Sequence, residues 1–387
     1  MPFERAAQLL TWLTGATVTE PSARRLGLRA GAAYVAHQEA EAARIAREFP
    51  PAPPGPSKQL LEVDGAMVPL VGGAWTEVKT LVIGEIGEPR LADGEWVVHS
   101  QALSYFSRCS TAERFGEQAL GEVHRRGVER AQTVAAVTDG AEWEQAFIDL
   151  HRADAVRILD FPHAAQRLPL IAQALWGADP SAAGEWAAER ARQLKQEGPA
   201  PLLAELTQLA LAHPEAPGLD EQQAYLQKRE AHMQYPEYRA RGLPLGSGAV
   251  ESGNKLVVEA RLKGAGMHWA RAHVDPMLAL RNVVCSDRWE EAWPQMAVRL
   301  QPLAAVAGRP RPARAAVSAA PPAVLPTERA PVRPETPPGA PTGTGDNEAA
   351  SRRGAGRCRP AANHPWRRYA HRWPQGVPLP ASHDARS

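Results

Sequence analysis

Two aspartates each end a hydrophobic run and are each followed by glycine: Asp64 in LLEVDGA and Asp139 in AAVTDGA. An acid at the end of a buried strand is held rigidly while its carboxylate faces solvent, a common setting for ligating carboxylates in sheet proteins. Asp-Gly is also a favoured turn pair, so two such sites in similar settings carry more weight than one. A third acid, Glu251, lies in GSGAVESGNK, residues 246–255. Gly246, Gly248 and Gly253 around it suit the close approach of another surface, because only backbone stands there. Two strand-borne aspartates and a helix-borne glutamate offer three hard oxygen donors. That set suits Mg²⁺ or Mn²⁺, with water and a substrate phosphate filling an open site. No Ser/His/Asp or Cys/His arrangement competes as a nucleophile. Cys109, Cys285 and Cys358 are far apart, with no CxxC pairing, which argues against a disulfide framework or a zinc ribbon.

The elements that must carry these acids follow from periodicity. FERAAQLLTWLTG and TEPSARRLGLRAG predict two short helices joined by a glycine turn, read either as a helix-turn-helix or as a plain helical hairpin. A longer helix through about Arg47 ends at the linker FPPAPPGP, so residues 1–49 form a helical segment and 50–59 a linker. LLEVDGAMVPLV, TEVKTLVIGEIG and EWVVHSQALSYFS read as strands, the first two separated by a turn at Gly72-Gly73. A helix over 111–125, a strand AQTVAAVTDG, a helix EWEQAFIDLH and a strand DAVRILDF follow. The order predicts an α/β fold, a mixed sheet flanked by helices, over residues 60–164. Residues 165–242 lose the strand signal and read as an all-helical insertion; residues 243–300 resume the core with the Glu251 helix. Residues 309–342 hold ten prolines, and 301–387 read as a disordered Pro/Arg-rich tail.

The chain has 387 residues and a net charge of +1. Its charge is uneven: from Ser351 onward eight arginines face Asp384, a net +7 that leaves −6 for residues 1–350. Between Arg241 and Arg288 seven Lys/Arg face four Asp/Glu, a second concentration of cation. No run of 18 apolar residues occurs and the N-terminus lacks signal-peptide features, so neither membrane nor export is indicated. A cytoplasmic, nucleoid-associated location is the expectation.

The strand order and the acid set resemble the RNase H-like core of DDE transposases, in which a helical insertion precedes the glutamate-bearing helix. The segments VDGAMVPL, EVKTLVIGEI, TDGAEW, RILDFPHA, LPLGSGAVESGNKLVVEARLKGAGMHWAR and NHPWRR resemble the bacterial insertion-sequence transposases of the Kra type, related to the Mutator-like branch. The 243–271 segment is the most specific part, and the likeness runs with breaks from near residue 1 to about 300 and again at 363–368. The resemblance implies that Asp64, Asp139 and Glu251 are the catalytic acids and ligate two Mg²⁺ or Mn²⁺ ions. It places Asp160-Phe161-Pro162-His163 at a Cys/Asp-x-x-His element, making His163 an active-site neighbour or a helix-capping histidine. Asp160, which also ends a strand, is a rival for the second acid.

The implied activity is metal-dependent cleavage of DNA and strand transfer of an insertion sequence. Two ions roughly 3.5–4 Å apart would serve the attacking and leaving oxygens of an in-line displacement. Lys255, Arg261, Lys263 and Arg271, on or just after the Glu251 helix, could neutralise phosphates of bound DNA. Trp269 and His268 could stack on a distorted base, although a core position is the ordinary reading of Trp269. The implied partners are element ends, target DNA and further copies of the chain, with no membrane. Family members carry a longer N-terminal region, so the chain reads as N-terminally truncated. Two alternatives stay open: a catalytically inactive DNA-binding remnant or repressor, and an RNase H-like nuclease.

Overall fold

The N-terminal segment forms α1 (Phe3–Thr14) and α2 (Glu20–Glu48). These elements come from a computed structural model that describes residues 2–92, 95–177 and 180–300; the tail expected over 301–387, with NHPWRR, lies outside the described residues. Thr19 caps α2 by accepting the Ser22 N–H. The short second helix and the longer third helix expected from sequence are one 29-residue helix that runs through Gly27 and Gly31. Tertiary contact explains why glycine does not stop it. At Gly31 a Cβ would lie 2.0 Å from the Pro276 carbonyl oxygen, so the missing side chain lets two helices touch backbone to backbone. The segment is therefore a short helix and a long helix, not a pair of short ones.

The main sheet holds β1 (Lys58–Pro69), β2 (Trp75–Ile86), β5 (Ser100–Arg108), β6 (Thr133–Thr138) and β7 (Val156–Leu159) in the order β5-β2-β1-β6-β7. β1 pairs antiparallel with β2, and β2 with β5, whereas β1–β6 and β6–β7 are parallel. This is the α/β mixed sheet flanked by helices that the sequence predicts. One expected strand is split. Residues 95–107 do not form a single element: β3 (Arg90–Ala92) and β4 (Glu95–Val97) make a separate hairpin before β5. The His99 carbonyl accepts the Gly87 N–H, and regular pairing with β2 begins only at Ser100.

Alternation along β1 assigns its two faces. Leu61 and Val63 join Leu81, Ile83 and Phe106 beneath α3 (Ala112–Arg125) and α4 (Glu142–Arg152), where Phe115, Phe147 and Ile148 complete a buried cluster. Leu60, Glu62, Asp64, Ala66 and Val68 face the other way. That side is covered in part by α5 (Phe161–Ala165), α6 (Arg167–Trp176), α7 (Pro180–Glu197), α8 (Pro199–Ala212), α9 (Leu219–Lys228) and α10 (Tyr235–Ala240). These share one apolar cluster with Leu60, Val137 and Leu159, in which Leu168, Ile171, Leu202, Leu206 and Leu226 are buried.

The same side of the sheet is closed by α11 (Gly248–Gly253), a π-helical turn (Asn254–Glu259), α12 (Ala260–Leu262) and α13 (Arg271–Cys285). Val250, Val257, Val258, Leu262 and Leu278 pack there on Val68, Val78 and Val82. Burial of one such side chain is worth about 1.5–3 kcal/mol, so these few contacts suffice to seat a short helix. α14 (Trp289–Leu300) packs against α2. Among the described residues no helix is long and apolar enough to cross a membrane.

Candidate metal centre

Register brings the two Asp-Gly aspartates together. In the parallel β1–β6 ladder Leu60 lies beside Ala135 and Glu62 beside Val137, so two residues further Asp64 falls beside Asp139. Both stand at the C-terminal side of the parallel strands, where sheet proteins of this class bind ligands. The third acid beside them comes from the first turn of α4. Ligand oxygens of Asp64, Asp139 and Glu144 all lie within 4.8 Å of one another, and this is a group able to hold a metal ion.

Local hydrogen bonds hold each of the three. Asp64 Oδ1 accepts its neighbour's Gly65 N–H (2.7 Å) and Oδ2 accepts Asn254 Nδ2 (2.8 Å). Asp139 Oδ1 and Glu144 Oε2 both accept the Ala141 N–H, at 2.8 and 3.2 Å. Among the described residues no lysine or arginine forms an ion pair with any of the three. Burial raises the Asp64 carboxyl above its usual range, and the charge of Asp139 adds to that. Burial, a hydrogen bond to Asp139 and the charges of Asp139 and Asp64 push Glu144 up to about 10. Crowded in this way the three carboxyls hold a proton, on Glu144, that they would surrender to a divalent ion. The donor set is all hard oxygen and fits Mg²⁺ or Mn²⁺ better than softer ions.

Glu251 is not a member of this group. It lies in the first turn of α11, half-buried, with Lys255 Nζ 4.0 Å from its carboxylate. Two buried acids fix the start of that helix. Glu62 Oε2 accepts the Val250 N–H at 2.6 Å and does the capping that the Ser247 side chain leaves undone. Asp160 Oδ1 accepts the Ser247 N–H at 2.7 Å. Burial pushes the Glu62 carboxyl up to about 8. One turn beyond Glu251, it is Asn254 that reaches Asp64. Of the glycines here Gly253 serves the fold, since a Cβ on it would lie 3.0 Å from Val82 and 3.1 Å from the Tyr105 ring, whereas a Cβ on Gly248 would meet nothing within 4 Å.

Asp160 follows the end of β7, but its oxygens are committed. It is fully buried, and Oδ2 accepts both the backbone N–H of His163 (2.9 Å) and its Nδ1 (2.6 Å). Asp160 caps α5 and orients His163 without joining the three-acid group. That hydrogen bond raises the His163 pKa despite burial, and the charges of Asp139 and Asp64 reach it too. His163 is thus the residue whose N–H is capped, not a capping histidine, and its ring lies near enough to Asp139 and Asp64 to feel their charge. The helical insertion braces the Asp139 loop from outside: Tyr225 Oη donates to the Asp139 carbonyl (2.9 Å) and Arg229 Nη2 to the Gly140 carbonyl (2.8 Å).

The expected DNA-contacting residues divide by exposure. Lys255, Lys263 and Arg271 are exposed; Lys263 pairs with Glu259 at 2.8 Å, and Arg271 donates to Thr76 Oγ1 at 2.5 Å. Arg261 and Trp269 are core groups. Arg261, 7% exposed, stacks on Phe3 and Trp269 with its guanidinium carbon 4.8 and 4.9 Å from the ring centres. Trp269, also 7% exposed, is tied to β1 by its N–H to the Pro69 carbonyl. As placed, neither presents a group to a DNA backbone. His268 is exposed.

Sequence reasoning did not single out Glu62, Glu144 or Asn254. Glu62 carried a signal, since it precedes Asp64 by two and must share its strand face. Glu144 and Asn254 depend on how a helix start and a widened turn are aimed, which spacing alone does not reveal. Compared with known proteins, the chain matches no family model, and no curated protein matches it. What the fold and site define is a class: an α/β chain with an acidic group able to hold a metal ion where the parallel ladder of its central strands ends.

Proposed function

We propose that this chain is a DDE-type transposase that cleaves DNA and joins the freed strand using Mg²⁺ or Mn²⁺. The observation that carries the reading is the grouping within 4.8 Å of Asp64, just past the end of the parallel β1–β6 ladder, Asp139, just after β6, and Glu144 in the first turn of α4. The strand order, with three antiparallel strands followed by two parallel ones, supports an RNase H-like core, as does a helical insertion before the helix bearing Glu251. The sequence likeness over 243–271 points to insertion-sequence transposases of the Kra type. Exposed Lys255, Lys263 and Arg271 near that helix supply charge for a phosphate backbone.

In this reading a water or a 3′-hydroxyl attacks phosphorus, a P–O bond forms, and the bond to the leaving 3′ oxygen breaks. A pair of divalent ions would supply the activation of the attacking oxygen and the stabilisation of the leaving one. Asp64, Asp139 and Glu144 would hold the ions, Glu144 giving up its proton as they bind, and Glu251 lies one turn before Asn254, the residue that touches Asp64. His163, oriented by Asp160 and with its pKa raised by that hydrogen bond, stands next to the acids.

The test is a nicking and strand-transfer assay with the full chain, Mg²⁺ and DNA carrying the inverted repeats that flank the gene. Nicked and joined products that vanish in Asp64→Asn and Asp139→Asn are expected. Absence of product from the native chain overturns the reading. Salt-sensitive binding to the same DNA without cleavage would favour the inactive remnant, and cleavage of an RNA–DNA hybrid without joining would favour the nuclease.

A further inference from the structure

Asn254 opens the π-helical turn and is 6% exposed. Its Nδ2 donates to Asp64 Oδ2 at 2.8 Å. An ionised carboxylate only accepts, so the amide nitrogen is the atom that must face Asp64. The other amide atom, Oδ1, is buried and has no hydrogen-bond partner. Leaving such an acceptor buried and unmet is costly, and native chains rarely accept that cost without use. π-helical turns are rare and frequent at functional sites, because the extra residue per turn re-aims a side chain. Here the widened turn brings an amide to one aspartate of the acidic group.

An amide oxygen is an ordinary ligand of a hard divalent ion. We propose that Asn254 Oδ1 is a further oxygen ligand of a cation held by Asp64, Asp139 and Glu144. The proposal rests on the metal-centre reading above and extends it. One side chain then does two things: Nδ2 holds Asp64 in place, and Oδ1 meets the ion that removes its own unsatisfied state.

Titration of the full chain with MnCl₂ by calorimetry, with thermal melts of the metal-free protein, tests this on native, Asn254→Ala and Asn254→Asp chains. Asn254→Ala is expected to melt as the native protein does while binding Mn²⁺ at least about tenfold more weakly. Asn254→Asp discards the amide donor but keeps the oxygen, so it should bind Mn²⁺ at least as tightly as the native chain, even if it melts lower without metal. Native affinity in Asn254→Ala overturns the proposal. Equal loss in both variants also overturns it, because the amide would then act only as a donor to Asp64. Either result leaves the metal centre standing. A native chain that binds no Mn²⁺ removes the centre itself, and the Asn254 ligand with it.

Discussion

Glu144 is the buried member of the three-acid group. Buried beside two carboxylates and pushed up to about 10, it carries a proton at neutral pH when no cation is present. Cation binding must expel that proton, so apparent Mn²⁺ affinity should rise with pH, by about tenfold per unit for each proton released below pH 10. Glutamine copies the neutral acid in shape. Glu144→Gln is therefore expected to melt like the native chain at pH 7, to bind Mn²⁺ at least about tenfold more weakly, and to lose most of the pH slope. Glu251→Gln, outside the three-acid group, should leave Mn²⁺ affinity of the DNA-free protein unchanged. Calorimetry on the two variants decides which glutamate belongs to the centre, and the reverse result would return Glu251 to it.

At the scale of elements, α4 both carries Glu144 and is fastened to α3 by His151. The ring lies 4.5 Å from Phe147, and Nε2 is 3.0 Å from the Gly116 carbonyl, so the neutral ring donates there. Burial pushes the His151 pKa down to about 4, below its unfolded value near 6.5. The unfolded chain therefore binds the extra proton between those two values. Stability from this group is complete above about pH 6.5 and falls as pH drops toward 4, by on the order of 1–3 kcal/mol. Urea unfolding at pH 7 and pH 5 should show that loss in the native chain and a smaller one in His151→Phe. An identical pH response in both would mean that His151 titrates normally. The capped start of α11 works by the same economy of parts: Glu62 and Asp160 come from the sheet to hold a six-residue helix that lacks a side-chain cap of its own.

Across the whole molecule, residues between β7 and α11 form a helical insertion that reaches back to hold the Asp139–Gly140 backbone through Tyr225 and Arg229. The exposed cations lie after the Glu251 helix, and DNA binding by the full chain is expected to weaken with salt. Replacing Lys255, Lys263 or Arg271 with glutamine should each reduce the slope of log K against log salt by about 0.9 for every phosphate left without its cation. Arg261→Gln should act differently, lowering the melting temperature by removing the stack between Phe3 and Trp269 without a change in that slope. Fluorescence anisotropy over a salt series separates the two outcomes. An unchanged slope in all the surface variants would remove these cations from the interface.

Much of this was legible in the chain. The α/β class followed from strand and helix periods, and Asp64 and Asp139 were visible as acids closing apolar runs, because a strand covered on both faces reads as a continuous apolar run. The N-terminal helices were harder: glycine in α2 reads as a stop until Pro276 is seen packed against Gly31. The 95–107 segment reads as one strand because local propensity cannot say which neighbour a strand will pair with. The site shows the same division. Residue type and strand position marked both aspartates, and Asp139 does follow the end of β6, but Asp64 lies in the middle of β1, which pairs on with β2 as far as Pro69; only the parallel ladder with β6 stops short of it. Tertiary structure alone decided that β1 and β6 lie side by side in a register that joins them, that Glu144 completes the group, and that Asn254 touches Asp64. The reason is physical: a strand's own pattern sets which way its side chains face, whereas the register between strands and the aim of a helix are settled by packing among residues far apart in sequence.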